Sequence, residues 1–349
     1  MSASAARRLL ILAEGFSADL HYGKTMRGVL RYRRDDVVAI LDSTRAGETE
    51  QGVPIVGDVA AALRLQPTAA LVGVATQGGR FPPAWRDVLR DCIRNGIDIE
   101  NGLHQFLADD PEMAELARTF GVTLTDLRRA PAGLDVPSGA NLDLPGKTVL
   151  TVGSDCAIGK MTVSLELDRE ARNRGIASVF VPTGQTGIAI AGWGLSVDAV
   201  VADFIAGATE RLVVEGSERG GDLLLVEGQG SISHPAYSGV TLGLIHGSAP
   251  HAFVLCHMAG STEVEGYPGY PLLSLPELVS LHEAISLTRR RAPVACIALN
   301  TRHLDDDAAR DAIAAVEAET GLVADDPVRF GAARLLDAAL AAVGPLREQ

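Results

Sequence analysis

Lysine is almost absent from this chain: Lys24, Lys147 and Lys160 are the only three in 349 residues, among 31 basic side chains. Codon composition accounts for the scarcity but not for the placement, since each of the three follows a glycine. Cysteine is scarce too. Cys92, Cys156, Cys256 and Cys296 form no CxxC pair, so neither a zinc knuckle nor a redox dithiol is indicated, and a reducing cytoplasm fits. Basic charge is short overall: 44 acidic residues leave a formal charge of −13, which argues against a sequence-independent nucleic-acid binder and disfavours docking on anionic membrane. No window reaches the ~18 uninterrupted apolar residues of a membrane span. The opening MSASAARRLLILAEG is broken by Glu14 and Gly15 and lacks a cleavage signal, so it reads as a first strand.

What is present is alternation. The length suits two domains of roughly 150 residues each. Apolar runs at 9–13, 37–41, 69–74 and 121–124 alternate with proline-started helices at 83–94 and 111–120. Buried runs separated by helices predict βαβ units on a parallel sheet. The pattern fails in APAGLDVPSGANLDLPG, which predicts a parallel-sheet α/β domain over 1–130, a linker over 131–146 and a second α/β domain over 147–349. There, strands are expected at 148–152, 177–181, 222–226, 252–256 and 294–299. Helices are expected at 160–173, 197–207, 277–290, 305–319 and 328–342. Ligands of such sheets collect beyond the carboxyl ends of the strands.

Chemistry-bearing residues stand at those ends. The strand 148–152 runs into Gly153-Ser154-Asp155-Cys156-Ala157-Ile158-Gly159-Lys160-Met161-Thr162 and then a helix. Glycines turn backbone amides toward one anion, the helix N-terminus adds partial positive charge, and Lys160 can reach phosphate oxygens. The plain GxxxxGK[ST] pattern is not met, because Gly153 comes one residue early and Met161 follows the lysine; Thr162 lies two places on. Thr183, Gly184 and Gln185 form a polar, glycine-containing turn after 177–181. Glu227 ends 222–226 where an acid can hold Mg²⁺, or can instead bond loop amides. Asn300 follows 294–299.

GSDCAIGK, VPTGQTG, VEGQGS and the late LNT resemble the dethiobiotin synthetase branch of P-loop proteins. That resemblance implies that Gly153, Asp155, Gly159, Lys160 and Thr162 hold phosphates, Glu227 a metal and Asn300 adenine; Met161 departs from it. Nearly the whole chain, including LAEGFSADLHYGKTMRGVLRY and VEGQGSISHPAYSGVTLGLIHGSAPHAFVLCH, is similar to a two-domain bacterial and archaeal family. The family pairs a Rossmann-like domain with a P-loop C-terminal domain and includes a D-glutamate N-acetyltransferase. The resemblance implies acetyl-CoA as co-substrate and a small amino-acid substrate; a phosphate loop is compatible with coenzyme A, through its diphosphate, as well as with ATP.

Acetyl transfer to an amine needs a base and oxyanion donors. His234 and His257, each near a strand end, are the base candidates, with Glu227 beside them and His246 and His251 weaker. Cys156 is a thioester candidate that also suits simple packing. Arg27, Arg80 and Arg302 flank strand ends or glycine turns and could grip substrate carboxylates. Lys24 marks a second candidate anion turn, and Asp42 stands where a Rossmann domain holds ribose, although the first turn is not GxGxxG and NAD is not indicated. A carboxylate-directed ligase or kinase using ATP and Mg²⁺ is the competing enzyme reading, and a non-catalytic nucleotide-binding protein is a third. An enzyme of this size is expected to form a homo-oligomer.

Overall fold

The computed structural model describes residues 7–19 and 22–346. Two compact units emerge: Met1–Arg129 with Gln185–Ser196, and Ala130–Gly184 with Val197–Gln349. The first holds a seven-stranded sheet of β1 (Leu9–Leu12), β2 (Val37–Leu41), β3 (Thr49–Glu50), β4 (Val53–Val56), β5 (Ala69–Val72), β6 (Asp98–Asn101) and β7 (Leu124–Asp126), in the order β3-β4-β2-β1-β5-β6-β7. All pairings are parallel except that of β3 with β4. Every residue of β1 and β5 is buried, as a sheet covered on both faces requires.

Local signals set several boundaries. Asp110 accepts hydrogen bonds from the Glu112 and Met113 amides and starts the helix Pro111–Phe120, with proline in its first turn. Gly121 ends that helix in the left-handed region at φ 67°. The strand expected at 121–124 therefore begins only at Leu124.

The second unit carries β8 (Lys147–Gly153), β9 (Ser178–Val181), β10 (Leu223–Val226), β11 (Ala252–Met258), β12 (Val294–Asn300) and β13 (Val323–Asp325) in a wholly parallel sheet ordered β13-β12-β11-β8-β10-β9. Its core joins Val149, Leu167, Leu225, Val254 and Ala298 to Leu335 and Leu336 of the last helix. The α/β architecture agrees with the expectation from sequence.

Two helical regions differ from that expectation. The helix expected at 197–207 is instead two short 3₁₀ turns, Val197–Ala199 and Ala202–Phe204, followed by the helix Ile205–Glu218. The helix Ser238–Ser248 was not expected, because it is apolar all round and rich in glycine. Those glycines are contact surfaces: a Cβ on Gly243 would lie 2.3 Å from Ile205, and one on Gly247 would lie 2.2 Å from the Ala206 carbonyl. The Pro/Gly stretch before β8 is pinned to this unit, since Glu210 accepts from the Ser138 amide, the Ser138 hydroxyl and the Gly139 amide. Among the described residues, no helix is long and apolar enough to cross a membrane.

Candidate active site

Beyond the carboxyl ends of β8, β10, β11 and β12, the second unit gathers most of the expected residues. The turn from β8 into the helix Lys160–Asn173 is tight. A Cβ on Gly153 would stand 2.8 Å from Ile158 Cδ1 and 3.1 Å from Lys160 Nζ, and Gly159 caps the helix at φ 113°. Lys160 is 6% exposed and donates from Nζ to the Asp155 carbonyl at 2.7 Å. Burial pulls its pKa down, against the pull of Asp155 and Glu227, so the ammonium is compact, desolvated and held inside the loop. Gly228 closes the other side: its amide donates to Thr151 Oγ1 at 2.9 Å, and a Cβ there would meet the Thr151 carbonyl at 1.7 Å. Thr162 is half-buried on the first helical turn.

Asn300 ties the loop down. Its Nδ2 donates to the Ile158 carbonyl at 3.0 Å, and its Oδ1 accepts from the Arg302 amide at 3.3 Å. The amide that the resemblance assigned to adenine is thus bonded to backbone at both ends.

Glu227 is fully within the fold. Its Oε2 accepts from the Thr183 and Gly184 amides at 2.9 and 3.1 Å, while Gln229 Nε2 donates to the Thr183 carbonyl at 2.6 Å. Burial pushes the Glu227 carboxyl up to about 7, with those amides and Lys160 opposing. Oε1 makes no hydrogen bond among the described residues, which leaves one hard oxygen donor for a divalent cation beside a phosphate loop.

The histidines divide. His257 Nδ1 and Ser154 Oγ are 2.9 Å apart, and burial lowers the His257 pKa, which keeps the ring neutral and able to accept a proton. Ser231, a loop partner that the reading of VEGQGS did not single out, donates from Oγ to the Ser154 carbonyl at 3.0 Å. His234 is 3% exposed and accepts at Nδ1 from the Ala236 amide at 3.1 Å. In the neutral ring the proton then sits on Nε2, which lies 3.9 Å from Asp155 Oδ1. His246 donates from Nε2 to the Ile285 carbonyl, and His251 accepts the Thr148 amide and is pushed down to about 4 by burial, so both serve structure.

Asp155, Cys156 and His234 bring one donor atom each within 4.8 Å of one another, a spacing that invites a metal. The residues fit one poorly. A ligating histidine donates a hydrogen bond from its other nitrogen, whereas His234 accepts there, and burial raises the Cys156 thiol pKa and keeps it protonated. Asp155 instead organises loops: Oδ1 accepts the Cys156 amide at 2.6 Å and Oδ2 the Glu265 amide at 2.7 Å.

The remaining candidates are dispersed. Arg27 donates to the carbonyls of Asp19 and Ala18 at 2.5 and 3.3 Å, holding its own loop. Arg80 and Arg302 are exposed, the former in the first unit with Arg27 and Gln185, the latter in the second. Asp42 accepts from the Gly15, Ser17 and Thr44 amides, and Lys24 opens the helix Lys24–Tyr32.

This geometry has relatives. Residues 135–336 match the model of a domain of unknown function described as the DUF1611 P-loop domain, and residues 42–130 match its Rossmann-like partner domain. The chain belongs to the DUF1611 family. A crystal structure of a DUF1611 protein from Anabaena variabilis is similar with a TM-score of 0.88 and 43% identity, covering 95% of this chain and 98% of that one. A curated relative from Tritonibacter scottomollicae, named D-glutamate N-acetyltransferase, is 43% identical over 78% of this chain and 81% of its own. A Pseudoalteromonas relative of the same name is 35% identical over 77% of this chain and 80% of its own.

Proposed function

We propose that this DUF1611 protein is an N-acetyltransferase that moves the acetyl group of acetyl-CoA to the amino group of D-glutamate. The observation that carries the reading is the 43% identity, over most of both chains, to an enzyme of that name. The loop is chemically compatible: coenzyme A presents a diphosphate to the amides of 153–160 and to Lys160. In the reaction a base takes a proton from the substrate ammonium, the amine attacks the thioester carbonyl, and the carbon–sulfur bond breaks to release the thiol.

His257, neutral and beside Ser154, is the base this reading favours. It requires the pantetheine arm to bend back over the loop, since an extended arm of about 15 Å carries the thioester away from it. His257→Gln separates the two cases. A loss confined to kcat makes His257 the base; a rise confined to KM for acetyl-CoA makes it a loop-positioning residue.

The deciding assay incubates purified protein with D-glutamate and either acetyl-CoA or ATP with Mg²⁺. Free thiol that appears only with D-glutamate is the expected result. ADP or phosphate without thiol would overturn it in favour of the ligase or kinase chemistry that the free Oε1 of Glu227 would serve.

A further inference from the structure

Aromatic residues make up 4% of the chain, and five of them are tyrosines. Three of those five stand exposed in one cluster, two of them against the buried His234 and the third against one of these. Tyr237 is 54% exposed, Tyr267 38% and Tyr270 46%, a costly arrangement for large rings in a chain that has so few. Their ring centres connect: Tyr237 lies 4.8 Å from His234 at an interplanar angle of 31°, Tyr267 stands edge-on 5.2 Å from His234, and Tyr270 lies 6.4 Å from Tyr267.

The backbone beneath the rings is fixed while the rings face outward. Val264 is buried, the Glu265 amide donates to Asp155 Oδ2, the Tyr267 amide donates to the Val264 carbonyl, and an antiparallel bridge joins Glu263 to Pro271. His234, at the centre, meets the same Asp155 through Nε2. One carboxylate of the phosphate loop therefore holds the segment that bears Tyr267 by a hydrogen bond and lies 3.9 Å from the histidine of the segment that bears Tyr237.

We propose that Tyr237 and Tyr267 form the stacking surface for the adenine ring of the coenzyme whose diphosphate occupies the loop, a proposal that rests on the acetyl-CoA reading. Adenine is the one part of coenzyme A with a π-face, and the ribose spacer sets it only about 6 Å from the diphosphate. His234, which packs against both rings, brings its Nε2 to 3.9 Å from Asp155 Oδ1, so the aromatic cluster stands one residue away from the loop. The usual alternative for base recognition on this fold, Asn300, has both ends of its amide bonded to backbone. Stacking on tyrosine tolerates such a site at the solvent edge, because it needs area rather than a buried donor set.

The test compares coenzyme A with 4′-phosphopantetheine, which keeps the arm and a phosphate but lacks adenosine, by calorimetry on the full-length protein. Tyr267→Ala should weaken coenzyme A about tenfold and leave 4′-phosphopantetheine unchanged, Tyr237→Ala should act in the same direction, and Tyr267→Phe should restore binding. In turnover the loss should appear in KM for acetyl-CoA with kcat retained. Equal weakening of both ligands by Tyr267→Ala, or of neither, overturns the stacking surface while the acetyl-CoA reading stands. A wild-type protein that binds neither ligand overturns that reading and the stacking surface with it.

Discussion

At the scale of single residues, the scarcity of lysine acquires a physical meaning. Lys160 is buried against Gly153 and Gly228, where the wider, planar guanidinium of the chain's usual cation has no room. Replacing Lys160 with Ala should weaken coenzyme or nucleotide binding by about 1.5–3 kcal/mol, the scale of a charge-assisted hydrogen bond, without unfolding the protein. Lys160→Arg should fail to restore it. Calorimetric titration of the three proteins, with circular dichroism as the folding control, checks both points. This part of the site was legible in sequence because its residues are consecutive, and Glu227 because it directly follows a buried run. The approach of His234 to Asp155 and the hydrogen bond from the Glu265 amide were not, since they bring together residues 79 and 110 positions apart through tertiary packing. The partners of Arg27 were hidden for another reason: nothing local reveals that its guanidinium donates to the carbonyls of its own loop.

At the scale of elements, legibility followed the source of each element's stability. The helix Pro111–Phe120 has a cap, a proline start and a glycine stop written into adjacent positions, and β2 is a plain apolar run. The helices Gln185–Ala191 and Ser238–Ser248 have no polar face, and the second has no side-chain cap at its start, so their amphipathic signal is absent and packing selects them. The second of these can be tested at its contacts. Gly247→Ala should lower the melting temperature by the equivalent of about 1–3 kcal/mol, because its Cβ would press on the Ala206 carbonyl and Thr209. Gly239→Ala, on the same helix with nothing within 4 Å, should stabilise by up to about 0.5–1 kcal/mol. Equal shifts from the two in differential scanning calorimetry would mean that close helix approach is not what the glycines provide.

At the scale of the whole molecule, buried ionisable groups predict how stability responds to pH. The Glu227 carboxyl titrates near 7 when folded and near 4.5 when unfolded, so the folded state alone holds its proton between those values. Its contribution therefore falls as pH rises from about 4.5 to 7. His251 and His282, pushed down to about 4 from 6.5, act oppositely: the unfolded chain holds their protons in that window, and stability rises with pH through it. A difference measurement isolates the acid. The melting temperature of Glu227→Gln minus that of wild type should grow as pH rises from about 5 to 7 and then level off. A flat difference would place the carboxyl's folded titration at its ordinary value.

The division of the chain between its units carries one more consequence. Because Gln185–Ser196 belongs to the unit built mainly from Met1–Arg129, the backbone passes from one unit to the other three times, and the second and third passages are stitched together where the Val197 amide donates to the Thr183 carbonyl at 2.9 Å. A protease nick in the exposed stretch near residue 133 should thus give two bands under denaturing conditions yet one native particle, for the larger fragment still carries the helix that completes its neighbour. The two halves are expected to behave as complementing pieces of a woven whole rather than as beads that a single cut sets free.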